Sequence, residues 1–333
     1  MPDAEEHLGG GRQALTMKPE GPRAVLPRLA MTALRLALLA ACVAFAAPGL
    51  AQDRIPVVTT TTVLRSLVEA VGGDRVSVTS LVPGSMDAED YQARPQDVLR
   101  LRTARVLVRV GLDYDLWLDR LLAQAGKIGR GGSGYVDASF GIATLELRGM
   151  SVGPGDGHAH GHGNPHYWLD PKNAEIMTAN IAAALTQNDP DHAAAYESNR
   201  RAFLTRLQGK LAEWEARLTP LRATPIVAYH NSWPYFARRF RLDFVAFIET
   251  KPGVPPSPNH LAGLVRTMRA RGVRIVVREP HEPQRDVAFV AGKANASVVT
   301  LATAVGALPG SDDYIALFDV NVDALTAAAA AAR

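Results

Sequence analysis

The chain has 333 residues, of which 47% are hydrophobic and 21% charged, with a formal net charge of +3 at pH 7. This length predicts two packed units, because a single hydrophobic core stops growing near about 250 residues. The balanced charge, with no basic stripe interleaved with aromatic residues, argues against a nucleic-acid-binding surface. Only one cysteine is present, Cys42, so a metal ion bound by the rest of the chain needs histidine, aspartate or glutamate ligands.

Residues 1–51 have the pattern of an export signal. Arg28 and Arg35 precede or flank an apolar run at 36–47, and small residues continue to Ala51. We expect cleavage after Ala51. The residues that end at Cys42 also resemble a bacterial lipobox, which would place a lipid on that cysteine. Because apolar residues continue past Cys42, simple cleavage and release into the periplasm is the favoured interpretation.

Strand and helix signals alternate through the next part of the chain, residues 52–188. β-rich runs predict strands at 55–60, 76–82 and 104–110, and helical patterns occupy 63–71 and 114–125. Glycine or proline follows most of these runs. Such alternation predicts a parallel α/β sheet.

A long helical region follows at 189–220. Asp170-Pro171 and Asp189-Pro190 each place an N-capping acid before a proline suited to the first helical position. After the second pair, one apolar stripe runs along a helix: Leu204, Leu207, Leu211, Trp214 and Leu218. A helix from 190 to 218 would be roughly 40 Å long, enough to connect two lobes rigidly.

The remainder, residues 221–333, repeats the alternation of the first block. Strands are predicted at 225–229, 244–248, 273–278 and 297–301, and helices at 260–271, 285–294 and 314–331. The predicted fold is therefore α/β, with two parallel-sheet lobes joined by a long rigid helix and a cleft between them.

Polar side chains with metal-binding chemistry lie at the ends of these elements. Glu89, His230 and Glu279 follow or end predicted strands, His281 comes two residues after Glu279, and His166 precedes a helix start. Open α/β sheets bind ligands at the carboxyl ends of their strands, so a cleft would collect these donors. A single histidine at a strand end is more often an ordinary surface residue, and spacing alone leaves both interpretations open.

A short histidine-rich segment, GHAHGHG at 157–163, is a second signal of metal binding. His158, His160 and His162 alternate with small residues. Short histidine-rich tracts bind metals, and imidazole suits zinc, copper and nickel better than manganese. No HExxH, GxSxG or GxxxxGK[ST] motif is present, so the sequence gives no signal of a zinc protease, a serine hydrolase or a nucleotide-binding loop.

From about residue 55 onward, the chain resembles the metal-specific solute-binding proteins of zinc and manganese ABC importers. GSMDAEDYQARPQD at 84–97 is similar to the segment that carries the family's first ligand. NPHYWLDP and AYHNSWPYF resemble its second and third ligand motifs, with His166 and His230 as ligands. The sequence REP around Glu279 resembles a strand-end motif of the C-terminal lobe, and the histidine-rich insert is typical of zinc-type members.

Two positions depart from the family pattern. Glu89 stands where most members have their first histidine, and Thr303 stands where many have a fourth, acidic ligand. The resemblance implies that Glu89, His166 and His230 bind Zn²⁺, with Mn²⁺ as the alternative, and leaves Glu279 and His281 as candidates for the remaining coordination.

The resemblance also implies a non-enzymatic, monomeric periplasmic protein that captures Zn²⁺ and delivers it to an ABC permease in the inner membrane. The histidine-rich loop would collect metal weakly or dock a periplasmic metallochaperone. Two other classes remain open at this point. One is a manganese-binding or adhesin-like surface protein. The other is a zinc hydrolase, with three protein ligands, a bound water and Glu279 as general base.

Overall fold

The computed structural model describes residues 54–145, 163–251 and 253–331. The predicted export signal at 1–51, with Cys42, lies outside these residues. So do His158, His160 and His162 of the histidine-rich segment.

Four parallel strands form the first sheet, in the spatial order β2-β1-β3-β4. They are β1 (Ile55–Thr59), β2 (Val76–Ser80), β3 (Val106–Arg109) and β4 (Tyr135–Asp137). The connecting helices are α1 (Thr62–Gly72), α2 (Pro95–Thr103) and α3 (Trp117–Ala125). The strands are rich in valine and isoleucine because helices cover both faces of a parallel sheet and bury it.

Two helices follow the first sheet, α4 (Ala174–Asn188) and α5 (Ala193–Leu218). Helix α5 has 26 residues, so it is about 39 Å long. It starts three residues later than predicted, because Pro190–His192 forms a 3₁₀ turn, a common way for a helix to begin. The predicted stripe is buried at Leu207, Trp214 and Leu218, whereas Leu204 and Leu211 lie at its half-buried edge.

The second sheet repeats the topology of the first, in the order β6-β5-β7-β8 with all strands parallel. Its strands are β5 (Pro225–Ala228), β6 (Asp243–Phe247), β7 (Ile275–Arg278) and β8 (Ser297–Thr300). Its helices are α6 (Pro234–Phe240), α7 (Pro258–Arg271), α8 (Gln284–Ala294) and α9 (Tyr314–Ala331). The predicted α/β fold with two parallel-sheet lobes is confirmed.

Several predicted elements extended too far, and three observed elements were not predicted: α2, β4 and α6. Most predicted strands extended one to three residues beyond the strands of the structure, into the adjoining loops. Strand β4 has three residues and helix α6 seven, too short for a periodic pattern to emerge. Helix α3 starts at Trp117 rather than 114, because Asp115 instead accepts a 2.7 Å hydrogen bond from Val110 N and holds a turn.

The segment 163–171 fastens the two lobes together. The side-chain amide of Asn164 donates to the carbonyl of Asn231 at 2.8 Å, and the Tyr235 hydroxyl donates to the Asn164 carbonyl at 2.8 Å. The indole of Trp168 donates to the carbonyl of Thr303, also at 2.8 Å. These bonds join a segment of the first half of the chain to three loops or helices of the second.

An ion pair with a buried carboxylate reinforces the same junction. Asp170, 1% exposed, receives two hydrogen bonds from the guanidinium of Arg239 on α6, at 2.7 and 3.0 Å. Such a two-point pair fixes orientation as well as distance. The segment 163–171 is therefore held to α6 by a geometry that leaves little room for sliding.

Helix α9 closes the core between the lobes. Within the described residues it is the one helix long and apolar enough to meet the length and composition of a membrane span. Its Leu317, Phe318 and Val322 are fully buried, and Phe318 stacks on Trp214 of α5 at 5.1 Å. The Tyr314 hydroxyl donates to the Trp168 carbonyl at 2.6 Å. These contacts pack one face of α9 against the core.

Gly84 should be intolerant of a side chain, since a Cβ added there would lie 2.1 Å from the carbonyl oxygen of Val305 in the other lobe. We expect Gly84→Ala to lower the free energy of unfolding by about 1–3 kcal/mol, the usual cost of overpacking. Urea unfolding of the metal-free protein measures it. Gly209→Ala in α5 is the control, because nothing lies within 4 Å of its added Cβ and alanine should stabilise a helix by about 0.5–1 kcal/mol. Equal stability of Gly84→Ala and the parent would contradict the close approach.

Candidate metal centre

A cavity of about 500 Å³ lies between the two lobes. Three imidazoles and seven carboxylates line it, and no lysine or arginine is found among its lining residues in the described part of the chain. The imidazoles are His166, His230 and His281, and the carboxylates are Asp87, Glu89, Asp90, Glu249, Glu279, Glu282 and Asp286. Carboxylates enclosed by low-dielectric walls create a potential that concentrates cations.

Three of these side chains form a compact donor group: Glu89, His166 and His230, each offering one atom within 4.8 Å of the others. Glu89 Oε1 lies 3.2 Å from His166 Nε2 and 3.9 Å from His230 Nε2. Ligands around a tetrahedral ion at about 2.0–2.2 Å are roughly 3.4 Å apart, so these separations suit one shared ion. We call these three residues the inner group.

Glu89 stands on the loop that follows β2, and aromatic residues hold that loop. The indole of Trp117 donates to the carbonyl of Ala88 at 2.9 Å. The ring of Tyr91 packs edge-on against Trp117, with the ring centroids 4.9 Å apart, and the Tyr91 hydroxyl donates a hydrogen bond to Asp97 at 2.8 Å. With neighbours on both sides fixed, the Glu89 side chain points into the cavity and is 7% exposed.

His166 is oriented by Asn164 and by two aromatic rings, one edge-on and one tilted. Asn164 Oδ1 accepts from the backbone N–H of His166 at 3.0 Å and lies 3.2 Å from its Nδ1. A carbonyl-type partner at Nδ1 places the proton there and leaves the Nε2 lone pair for a metal. Tyr114 and Trp168 pack against the imidazole at 5.5 and 5.1 Å, which limits rotation of the ring.

His230 lies two residues after the end of β5 and is oriented by a carboxylate that the sequence analysis missed, Glu249. Glu249 Oε2 lies 2.5 Å from His230 Nδ1, and its Oε1 accepts from Gly253 N at 2.7 Å. Burial disfavours the imidazolium, but the hydrogen bond to Glu249 and the charge of Glu89 outweigh it and raise the pKa of His230 to about 10. Because Glu249 lies just after β6, at the carboxyl end of a parallel strand, the sequence could have marked it as a candidate site residue.

Glu279 and His281 line the cavity but lie outside the inner group. The Glu279 carboxylate accepts from the Ser232 hydroxyl at 2.5 Å, and its other oxygen accepts from the Thr303 hydroxyl. Thr303 stands where the similar family often has an acidic residue. Here its hydroxyl contacts Glu279, the residue directly after β7. His281 Nε2 lies 3.6 Å from Asp87 Oδ2 rather than beside the inner histidines.

Chemically, the inner group offers two imidazole nitrogens and a carboxylate, a set that suits a divalent transition metal. Its three donors come from three separate segments and both lobes. A bound dication with one carboxylate and two neutral imidazoles keeps a formal charge of about +1, which the other carboxylates of the cavity partly offset.

The raised pKa of His230 predicts a pH-dependent affinity. A metal at Nε2 must displace a proton from the imidazolium, which persists up to pH about 10 in the metal-free protein. Zinc affinity should therefore rise with pH, about tenfold per unit for this one proton. In Glu249→Gln the carboxylate charge is lost, so the pKa of His230 should fall. Zinc affinity of this variant should then depend less on pH above neutrality.

Calorimetry in buffers of different ionisation enthalpy measures the protons released, with the exposed Glu197→Gln as control. Equal proton release by Glu249→Gln and the parent at pH 7.5 would contradict this assignment.

Comparison with known proteins identifies the family. Residues 57–328 match the family described as zinc-uptake complex component A, periplasmic (ZnuA). The chain is 25% identical over 308 residues to the metal ABC transporter substrate-binding lipoprotein SsaB of Streptococcus sanguinis, covering 88% of this chain and 96% of SsaB. It is 25% identical over 317 residues to the iron-binding protein YfeA of Yersinia pestis, covering 90% and 98%.

Solved structures share the fold. The crystal structure of ZnuA superposes with a TM-score of 0.72 at 28% identity, over 83% of this chain and 99% of that one. A zinc-bound deletion variant of ZnuA gives 0.71 at 27% identity, over 83% and 98%. The match over residues 57–328, with this shared two-lobe fold, shows that the chain belongs to the ZnuA family of metal-binding periplasmic solute-binding proteins of ABC transporters.

Proposed function

We propose that this protein captures Zn²⁺ in the periplasm and delivers it to an ABC permease of the inner membrane. The observation that carries the proposal is the inner group, in which Glu89, His166 and His230 place donors from both lobes within 4.8 Å of one another. An ion bound there would hold the lobes together, so the loaded protein would differ from the empty one in stability more than in shape.

The choice of zinc rests on the donor set. Two imidazoles and one carboxylate are typical zinc ligands, whereas manganese and other hard cations prefer carboxylate and carbonyl oxygens. The solved ZnuA variant that contains zinc supports this choice. The histidine-rich segment with His158, His160 and His162 is proposed to collect metal weakly for the inner group.

Manganese or iron is the second candidate, because one observation favours it. Glu89 replaces a histidine of the similar family, and six further carboxylates line the cavity. Oxygen ligands suit Mn²⁺, and YfeA, a relative of similar length, is named an iron-binding protein. Elemental analysis of untagged protein purified from its periplasm separates these metals directly.

Delivery to a permease is proposed from the names of the relatives, SsaB being a substrate-binding lipoprotein of a metal ABC transporter. Residues 1–51 would direct export, with Ala51 as the cleavage site and Cys42 as a lipid anchor in the alternative. We propose residues 52–188 and 221–333 as the two lobes and 189–220 as their connection, in a monomer without enzymatic turnover.

The inner histidines should be indispensable for tight binding. Substituting His166 or His230 by alanine removes one of three donors, so we expect zinc affinity to fall at least tenfold, about 1.4 kcal/mol. His192→Ala is the control, since that histidine pairs with Asp189 at the start of α5 and does not line the cavity. Competition with a chromophoric chelator measures the affinity. Parent-like binding by both alanine variants would place the site elsewhere.

Glu89 should bind the metal through its carboxylate. Glu89→Gln keeps the shape but removes the charge that offsets part of the dication, so we expect zinc affinity to fall at least tenfold. Glu89→His supplies a nitrogen donor and should bind zinc more tightly than Glu89→Gln. The ratio of zinc to manganese affinity should also rise in Glu89→His, because imidazole suits zinc better. Unchanged zinc affinity in Glu89→Gln would show that Glu89 is not a ligand.

A further inference from the structure

A groove of about 830 Å³ lies between α2 and α3 on the first lobe. We call it the α2–α3 groove. Its larger aliphatic side chains are Val98, Leu99, Leu116 and Leu121, and of these Leu99 and Leu116 are 61% and 55% exposed. A single exposed leucine is ordinary on a protein surface, but two that line one groove from different helices form an apolar surface suited to binding.

Three exposed arginines also line the α2–α3 groove: Arg94, Arg102 and Arg120. Among the described residues, no aspartate or glutamate lines the groove. The one acid of each helix, Asp97 in α2 and Asp119 in α3, forms its ion pairs with other arginines. The groove therefore combines exposed leucines with three positive charges that no lining carboxylate balances.

The charge of the groove is opposite to that of the metal cavity, which seven carboxylates line and, in the described part of the chain, no lysine or arginine. A cation is therefore directed to the cavity and an anionic partner to the groove. Because the groove is concave, it suits a protein segment with acidic and aliphatic side chains better than it suits a flat membrane surface. Charge complementarity of this kind guides association and sets partner choice.

The lining of the α2–α3 groove also supports the loop that carries Glu89. Trp117 lines the groove and donates to the carbonyl of Ala88 at 2.9 Å. Tyr91, which lines it as well, packs against Trp117 with the ring centroids 4.9 Å apart. A partner in the groove therefore contacts the two rings that hold the loop of a candidate metal ligand. This continuity favours the permease as the partner, because the permease has to receive the ion.

We propose that the α2–α3 groove is a docking site for an acidic periplasmic segment of the ABC permease. Leu99 and Leu116 contact the aliphatic side chains of that segment, and the three arginines pair with its carboxylates. This inference rests on the proposed function, in which the protein delivers Zn²⁺ to that permease. A segment of this chain is a poorer match, since residues 146–162 contain two acids and one arginine.

Binding of the zinc-loaded protein, as purified from the periplasm, to its ABC importer in phosphatidylcholine nanodiscs tests the proposal by biolayer interferometry. We expect Arg120→Glu and Leu99→Ala each to weaken binding by about fivefold or more. Their zinc affinity should stay parent-like, because neither residue lines the metal cavity. Arg206→Glu is the matched control, since this exposed arginine of α5 lines neither the cavity nor the groove. Its importer binding should equal that of the parent.

Two further measurements identify the chemistry of the occupant. Raising the salt concentration from about 50 to about 300 mM should weaken importer binding by the parent and narrow its difference from Arg120→Glu, because salt screens exposed charges. A synthetic peptide copy of the acidic periplasmic segment should compete with the importer for the parent. The same peptide should compete much less well for Arg120→Glu.

Parent-like importer binding by both Arg120→Glu and Leu99→Ala would overturn the docking site and leave the proposed function intact. Binding to importer-free nanodiscs that contain phosphatidylglycerol, lost in both variants, would overturn it in favour of a membrane surface. A dimer in sedimentation that both variants abolish would overturn it in favour of a second copy of this chain. Absence of tight zinc binding and of importer binding by the parent would overturn the proposed function itself.

Discussion

The fixed relation between the two lobes is the constraint on which the candidate site depends. Metal ligands tolerate positional errors of only about 0.2 Å, yet Glu89 and His166 precede the long helix and His230 follows it. The bidentate pair between Asp170 and Arg239 and the hydrogen bonds of Asn164 set that relation. Asn164 and Asp170 lie within four residues of His166, so the segment that supplies one ligand also fixes the lobe that supplies another.

Charge is the second consequence of this arrangement. The cavity between the lobes gathers carboxylates, and among the described residues no lysine or arginine lines it. Burial and the neighbouring charge of Glu89 raise the pKa of Asp87 to about 6, and burial and Glu279 raise that of Glu282 to about 9. The metal-free cavity therefore retains protons that ordinary carboxylates would lose. A cation bound there competes with these protons and balances the carboxylate charge, which couples its binding to proton release.

The positions of His166 and His230 show how a rigid scaffold and a polar site are combined. His230 lies two residues after β5, whose Ile226, Val227 and Ala228 are buried, and His166 begins a turn whose aromatic residues Tyr167 and Trp168 are buried. The two histidines that could hold a metal are thus attached to backbone next to buried residues. Partners of the two imidazoles, Asn164 and Glu249, then select the nitrogen that faces the cavity. Preorganisation of this kind lowers the entropy cost of binding.

Local pattern alone determined most of the fold. Alternating β-rich and helical runs predicted both parallel sheets, and the Asp-Pro pairs and apolar stripe predicted α5, because each signal depends on neighbours within one or two turns of chain. The same local information marked His166, His230 and Glu89 as candidate ligands, since each sits at the end of an element or in a motif that resembles the family. Elements as short as β4 and α6 left no such signal.

The grouping of these donors was decided only by the tertiary structure. Sequence reasoning placed Glu279 and His281 with the inner histidines, but Ser232 and Thr303 hold Glu279, and His281 lies beside Asp87. Glu249 contacts His230 across 19 residues, and although its place just after β6 marks it as a candidate, only the packed structure shows which side chain it contacts. Distances of this kind depend on the register of two sheets and the seating of one lobe on the other. Local propensity therefore identifies the chemically able side chains, and long-range packing decides which of them share an ion.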